Sequence, residues 1–147
     1  MNGQQKCVLF VCIGNSCRSQ MAEAFARTYG SDVIVPASAG LAAAHAIARD
    51  TVAAMEEKSI DLRDQFPKNL QHLARGHFDV IVNMSGEPLP GKWEARLIEW
   101  DIPDPIGMDY EEHCEVRDMI ERKVMQLVLD LRKEQREVKW RGWGSER

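Results

Sequence analysis

The spacing of apolar positions changes several times along the chain, and each change marks an element. Cys7-Val-Leu-Phe-Val11 is an unbroken β-branched and aromatic run, which predicts a strand buried on both faces. Directly after it the spacing turns helical: Met21, Ala22, Phe25 and Ala26 share one face, and the pattern stops near Gly30. Val33-Ile-Val35, closed by Pro36, predicts a second strand, and Ala44 to Lys58 predicts a second helix with Ile47, Val52 and Met55 inward. Phe78 to Val82 predicts a third strand, followed by a loop holding Pro88, Pro90 and Gly91. Leu97 to Trp100 predicts a fourth strand, stopped by Asp101-Ile-Pro-Asp-Pro105. A last helix is predicted from Glu111 to Glu134, with Val116, Met119, Ile120, Leu127, Val128 and Leu131 as its buried stripe. Strands alternating with helices imply parallel βαβ units. The expected fold is therefore α/β, a three-layer sandwich whose four-stranded parallel sheet is flanked by helices, in one domain over residues 1–138. Residues 139–147 lack periodicity and read as a frayed tail, although Trp140 and Trp143 are candidates to dock on the body.

Composition narrows the function classes. The chain has 147 residues and 44% hydrophobic positions, with ten Gly and six Pro, which excludes disordered and low-complexity classes. The longest apolar run, Cys7 to Ile13, falls well short of the roughly 18 residues of a membrane span. No basic leader with a cleavage pattern precedes it, so a cytoplasmic location is expected. Nineteen Lys and Arg against 23 Asp and Glu give a net charge of −4, which argues against bulk binding to nucleic acid or to an anionic membrane. A small anion held by a few fixed dipoles stays compatible with that charge. The four cysteines, Cys7, Cys12, Cys17 and Cys114, are too sparse for a disulfide scaffold and read as free thiols. No Cys-x-x-Cys pair is present, and His45, His72, His77 and His113 lack metal spacing and read as surface or capping residues. No metal and no cofactor is expected.

The informative stretch is Cys12-Ile13-Gly14-Asn15-Ser16-Cys17-Arg18-Ser19, between a buried strand and the start of a helix. Ligands in α/β folds sit beyond the carboxyl ends of the strands, where this turn and the Asp104 turn both lie. Gly14 and Asn15 tolerate unusual backbone angles, so the turn can wrap with successive N–H groups inward. The helix that follows adds unpaired donors and the positive end of its dipole. Arg18 can fork two hydrogen bonds onto a tetrahedral oxyanion. Cys12 sits at the floor of that cradle, where every neighbour favours the thiolate, a strong nucleophile aimed at the centre of the bound anion. The same donors stabilise the charge that grows on equatorial oxygens during phosphoryl transfer. The chemistry is that of a phosphatase. A nucleotide-binding loop is excluded, because no Gly-Lys-Ser/Thr follows the turn.

The segment from Val8 through Cys12 and Arg18-Ser19 to Glu23 resembles the opening of the low-molecular-weight protein tyrosine phosphatases and of the arsenate reductases that share their fold. Ser38-Ala-Gly40 resembles the family's segment after strand two, and Asp104-Pro105 its general-acid loop. The resemblance implies that Cys12 becomes phosphocysteine, that Arg18 binds phosphate and the transition state, and that Asp104 protonates the leaving oxygen and later activates water. The loop residues Ile13, Gly14, Asn15, Ser16 and Cys17 would bind phosphate. Ser19 would hydrogen-bond the Cys12 sulfur, while Asn15 would hold a strained turn and lean on Ser38. Cys17 matches the second loop cysteine that traps oxidised Cys12 as a reversible disulfide. The implied substrates are a phosphotyrosine protein or a small aryl phosphate.

Three departures qualify that expectation. Ile106 and Gly107 follow Asp104-Pro105, and Leu41-Ala-Ala-Ala-His45 follows Gly40, where phosphotyrosine-specific relatives carry aromatic residues. Gln65 stands where many relatives place a His that braces the loop. The spacing around Ser38 and the final helix at Val116-Arg117-Asp118 is closer to the arsenate reductase branch. Arsenate reduction is therefore the main alternative. The thioredoxin-coupled members of that branch carry two more cysteines after strand three, but here the chain reads Asn83-Met84-Ser85-Gly86 and has no cysteine between Cys17 and Cys114. An external small thiol would have to complete the reduction. A non-catalytic phosphate-binding module is a third possibility, disfavoured because Cys12 and Asp104 are both present.

Overall fold

The computed structural model describes residues 5–73 and 76–145. The element order is β1 (Lys6–Cys12), α1 (Arg18–Gly30), β2 (Ile34–Gly40), α2 (Arg49–Glu56), a 3-10 turn (Leu70–Leu73), β3 (Val80–Asn83), β4 (Arg96–Glu99) and α3 (Tyr110–Ser145). All four strands are parallel, in the order β2-β1-β3-β4. The chain leaves β1 for a neighbour on one side and later returns to its other side. That reversal opens a crevice at the carboxyl end of β1, where α/β sheets bind ligands.

Alternation along β1 divides the core. Val8 and Phe10 pack with Met21, Phe25, Met55, Ile120 and Val124 under the helices. Leu9 and Val11 face the other way, onto Ala39, Leu70 and Ile81, with Leu73, Phe78 and Trp93 at the margin. That second face is covered by the 3-10 turn and by the loop after β3. Trp100 belongs to the core and lies 6.0 Å from Phe10, ring centre to ring centre.

Three predicted boundaries move, each for a physical reason. β2 runs through Pro36 to Gly40 instead of ending at the proline. It is an edge strand, where a residue without an N–H is tolerated. The second helix begins at Arg49 rather than Ala44, because residues 41–48 are spent on another task described below. The tail predicted as frayed from Lys139 is helical to Ser145. Arg132 to Arg141 contains mostly good helix formers and no proline, so the helix continues without a repeating apolar face. Trp140 on it is exposed, and the expected docking of Trp143 lies outside the described side chains, as residues 146–147 lie outside the described chain. Among the described residues, no helix is long and apolar enough to cross a membrane.

Candidate active site

Six consecutive carbonyls of the loop after β1 are turned outward. Leu41 N–H donates to Cys12 O at 3.0 Å, Ala42 to Ile13 O at 2.9 Å, Ala44 to Gly14 O at 2.9 Å and Ala48 to Ser16 O at 3.1 Å. Gln20 Nε2 donates to Asn15 O at 2.9 Å, and Met21 N–H to Cys17 O at 3.0 Å. A trans peptide is planar, with its N–H opposite its C=O. Fixing those six carbonyls on the outside therefore points the N–H groups of residues 13–18 toward the interior of the loop. Asn15 takes the left-handed conformation (φ 50°) that closes the curve. α1 begins with no side chain capping its first turn, which leaves its own donors to the same cradle. Residues 41–48 thus form an outer strap around the loop. Gly40, where the strap begins, has no room for a side chain, since a Cβ there would sit 2.6 Å from Ile13 O and 2.9 Å from Asn15 N.

Cys12 is buried at the base of this loop. Its Sγ lies 2.8 Å from Ser19 Oγ, as the resemblance implied. Asn15 Nδ2 donates to that same Ser19 oxygen at 2.7 Å, so the Ser19 hydroxyl proton is left to point at the sulfur. Arg18 is also buried; its Nη1 donates to Met84 O at 2.6 Å and to Ile102 O at 3.0 Å. Two carbonyls, from the ends of the β3 and β4 regions, thus clamp one end of the guanidinium. Its Nη2 stands 3.7 Å from Asp104 Oδ2 across the cavity mouth. Asp104 Oδ1 accepts from Ile106 N–H at 3.1 Å, and its side chain is half exposed. Cys12, Ile13, Gly14, Ser16, Cys17, Arg18, Ala44, Asp104 and Ile106 line one cavity of about 260 Å³. The structure brings together every residue predicted for the reaction.

The support behind the loop differs in one respect from expectation. Ser38 is buried, but its hydroxyl donates to Glu23 Oε1 at 2.5 Å, and Asn15 is held by Ser19 and by Lys68 N–H at 2.9 Å. The expected Asn15–Ser38 contact gives way because the buried Glu23 carboxylate is the stronger acceptor for that hydroxyl. Arg27 completes the group, 2.7 Å from Glu23 and 2.9 Å from Gln65 Oε1. Gln65 does brace the loop, through Gln20: its Nε2 donates to Gln20 Oε1 at 2.7 Å, and Gln20 holds Asn15 O. Glu23 and Gln20 were not singled out from sequence. Their signal is that two long polar side chains stand among Met21, Ala22, Ala24 and Phe25 on a helix buried nearly all round.

His113, read from sequence as a surface or capping residue, is buried. Its Nε2 lies 2.9 Å from the Oγ1 of the fully buried Thr51. Burial holds its imidazole below the ordinary histidine range, so it is neutral at pH 7. Burial likewise pushes the Cys17 thiol up. Cys114 is remote from the cavity, with its Sγ 3.8 Å from Glu57 Oε2.

A buried sulfur inside a ring of amides, with a clamped guanidinium and a carboxyl at the mouth, is the site of a cysteine-based enzyme. The chain belongs to the low molecular weight phosphotyrosine protein phosphatase family, whose family model matches residues 7–90. Among its relatives, a glutaredoxin arsenate reductase of Synechocystis sp. is 35% identical over 130 residues, covering 86% of this chain and 98% of that one. A solved arsenate reductase in the phosphate binding state is 34% identical, covers 86% of this chain and 99% of that one, and superposes with a TM-score of 0.80. An arginine phosphatase from Geobacillus stearothermophilus is 26% identical, covering 90% and 96%, with a TM-score of 0.76. The relatives thus include arsenate reductases and a phosphatase.

Proposed function

We propose that the protein reduces arsenate at Cys12 and draws its electrons from an external small thiol. The observation that carries this reading is the cavity wall. Beyond the loop it offers only Ala44, Asp104 and Ile106, with no aromatic pair to sandwich a phenyl ring, while the loop itself is complete for a bare tetrahedral oxyanion. The arsenate reductases among the relatives support the same reading. The Cys12 thiolate attacks arsenic, a hydroxide leaves, and Asp104 protonates it to water. Cys12 then carries an arsenate group, while Arg18 and the loop amides hold the arsenic oxygens. A thiol that attacks the Cys12 sulfur breaks the S–As bond, leaves that electron pair on arsenic and releases arsenite.

Phosphomonoester hydrolysis is the second reading, for phosphotyrosine proteins or small aryl phosphates, and Asp104 is the observation that favours it. A carboxyl beside Arg18 at the mouth supports a reading in which it protonates an ester oxygen and then activates water. One paired assay tests both: arsenite formation with excess glutathione or another small thiol, beside release of phenol from aryl phosphates. Arsenite formation well above the Cys12→Ser background supports the first reading. Brisk ester hydrolysis without arsenite replaces it with the second.

A further inference from the structure

The strap of residues 41–48 closes the outside of the Cys12 loop, and the open side is the rim formed by Ala44, Asp104 and Ile106. A cavity of about 260 Å³ that holds arsenate leaves little room for the rest of a reducing thiol. The room lies next door. A second cavity of about 340 Å³ lies beneath the Asp104 loop, and Ile106 is a wall of both. Asp104 Oδ1 accepts from Ile106 N–H at 3.1 Å, and Met108 N–H donates to Pro105 O at 3.0 Å, so residues 105–108 form a tight turn with an exposed Ile106 near its tip. Gly107 takes the left-handed conformation (φ 85°), and a Cβ there would meet nothing within 4 Å, so no side chain fills the space beside Ile106. The second cavity includes the buried His113 and, at its edge, the exposed Arg49 and Asp50. Neither the Arg49 guanidinium nor the Asp50 carboxylate has a hydrogen bond or an ion pair among the described residues. A cation and an anion side by side on one cavity are the complement of a free α-amino acid. The guanidinium fork fits its carboxylate, and the carboxylate accepts from its ammonium.

We propose that this second cavity docks the reducing thiol, and that Arg49 and Asp50 select thiols whose far end is a free α-amino acid, as in glutathione, a role that rests on the arsenate-reducing reading above. Arg49 holds the α-carboxylate and Asp50 the α-ammonium, while the rest of the molecule crosses Ile106 and carries its sulfur into the Cys12 cavity. The thiol leaves its proton in water and attacks the Cys12 sulfur as a thiolate. The new S–S bond forms, the S–As bond breaks with its electron pair left on arsenic, and arsenite departs. A second thiolate then attacks the docked sulfur, Cys12 leaves as a thiolate, and the two small thiols depart as one disulfide. Arsenic gains two electrons, and each small thiol loses one. Arg49 and Asp50 touch the far end of the thiol and not the oxyanion, so they act on thiol affinity rather than on the chemical step.

The test is arsenite formation at saturating arsenate with four thiols. Glutathione and γ-glutamylcysteine carry the α-amino acid end; cysteinylglycine and 2-mercaptoethanol lack it. Arg49→Gln and Asp50→Asn should each lower kcat/KM for the first pair about fivefold, the upper range for exposed charge pairs, and leave the second pair unchanged. Arg49→Lys, which keeps the charge but loses the fork, should fall between. S-methylglutathione, which has no thiol to react, should compete with glutathione and not with arsenate. An equal loss for all four thiols makes Arg49 and Asp50 general supports of the rim and overturns the proposal. No loss in either variant, or no competition by S-methylglutathione, overturns the docking site while leaving arsenate reduction intact. No arsenite with any thiol removes the reductase reading itself, and the docking role with it.

Discussion

The loop around Cys12 and the loop around Asp104 face each other across one cavity, and they are held to very different degrees. Six outward carbonyls of the Cys12 loop have fixed partners, its asparagine is bonded at both ends of its amide, and its arginine is clamped by two backbone carbonyls. The Asp104 side keeps its carboxyl half exposed, fastened by one N–H and a 3.7 Å ion pair, and Ile106 beside it is largely exposed. Electrostatic stabilisation of a transition state requires donors that are already in place, and the first loop supplies them. A group that delivers a proton and lets product leave must retain some freedom, as the second does. Oxyanion recognition is thus fixed by the buried loop. On the proposed reading, the choice among substrates falls to the looser rim, where Ile106 and Gly107 follow Asp104-Pro105.

The sharpest way to break the comparison is to remove the sulfur and keep its cradle. Cys12→Ser should abolish turnover on arsenate and aryl phosphate alike. Calorimetric titration with phosphate should still show binding, because every amide and Arg18 remain. Loss of binding along with turnover would mean that the loop depends on the sulfur for its shape. On the looser side, Asp104→Asn should cost about 10²–10⁴-fold on aryl phosphates with poor leaving groups and far less on activated ones. An equal loss on both would make Asp104 a structural partner of Arg18 rather than an acid.

Gly40→Ala probes the strap from outside the site. The added methyl would sit 2.6 Å from Ile13 O, and relief of that clash must move backbone. Overpacking of this kind costs about 1–3 kcal/mol, so a lower Tm and weaker phosphate binding are expected together. A variant that loses stability but binds phosphate normally would show that the amide ring does not depend on the strap.

Much of this was legible in the sequence because periodicity and short motifs report what is local. The buried run of β1, the turn chemistry of Gly14 and Asn15 and the apolar stripe of α3 each predicted an observed element, and Cys12, Arg18, Ser19 and Asp104 converge as expected. What stayed hidden was set by distant partners. The alanines between 42 and 48 have high helix propensity, and nothing local shows that the N–H groups of Ala42, Ala44 and Ala48 are taken by carbonyls about thirty residues earlier and that of Ala43 by Asn69 Oδ1. Ser38 could be placed near the loop from sequence, but not its preference for Glu23, which depends on a carboxylate buried on α1. His113 looks like any polar residue near the start of a helix until α2 covers it with Thr51.

That burial also gives the smallest effect expected here, one that separates the packing of His113 from its chemistry. A histidine in the unfolded chain titrates near 6.5, whereas burial holds His113 lower in the folded protein. Above about pH 6.5 neither state gains a proton, and the folded state keeps its full stability. As pH falls through 6.5 the unfolded chain takes up a proton that the folded one does not, so stability declines until the folded imidazole is itself protonated. Asp32, held down by its hydrogen bonds from Arg132, and Asp79, held down by the Cys7 N–H, titrate at lower pH and leave that window clear. The urea midpoint should therefore fall between pH 7 and pH 5, and less steeply in His113→Gln. Parallel slopes in the two proteins would show that His113 is reached by water as the acid titration proceeds, and that the seal beneath the Asp104 loop is as loose as the loop itself.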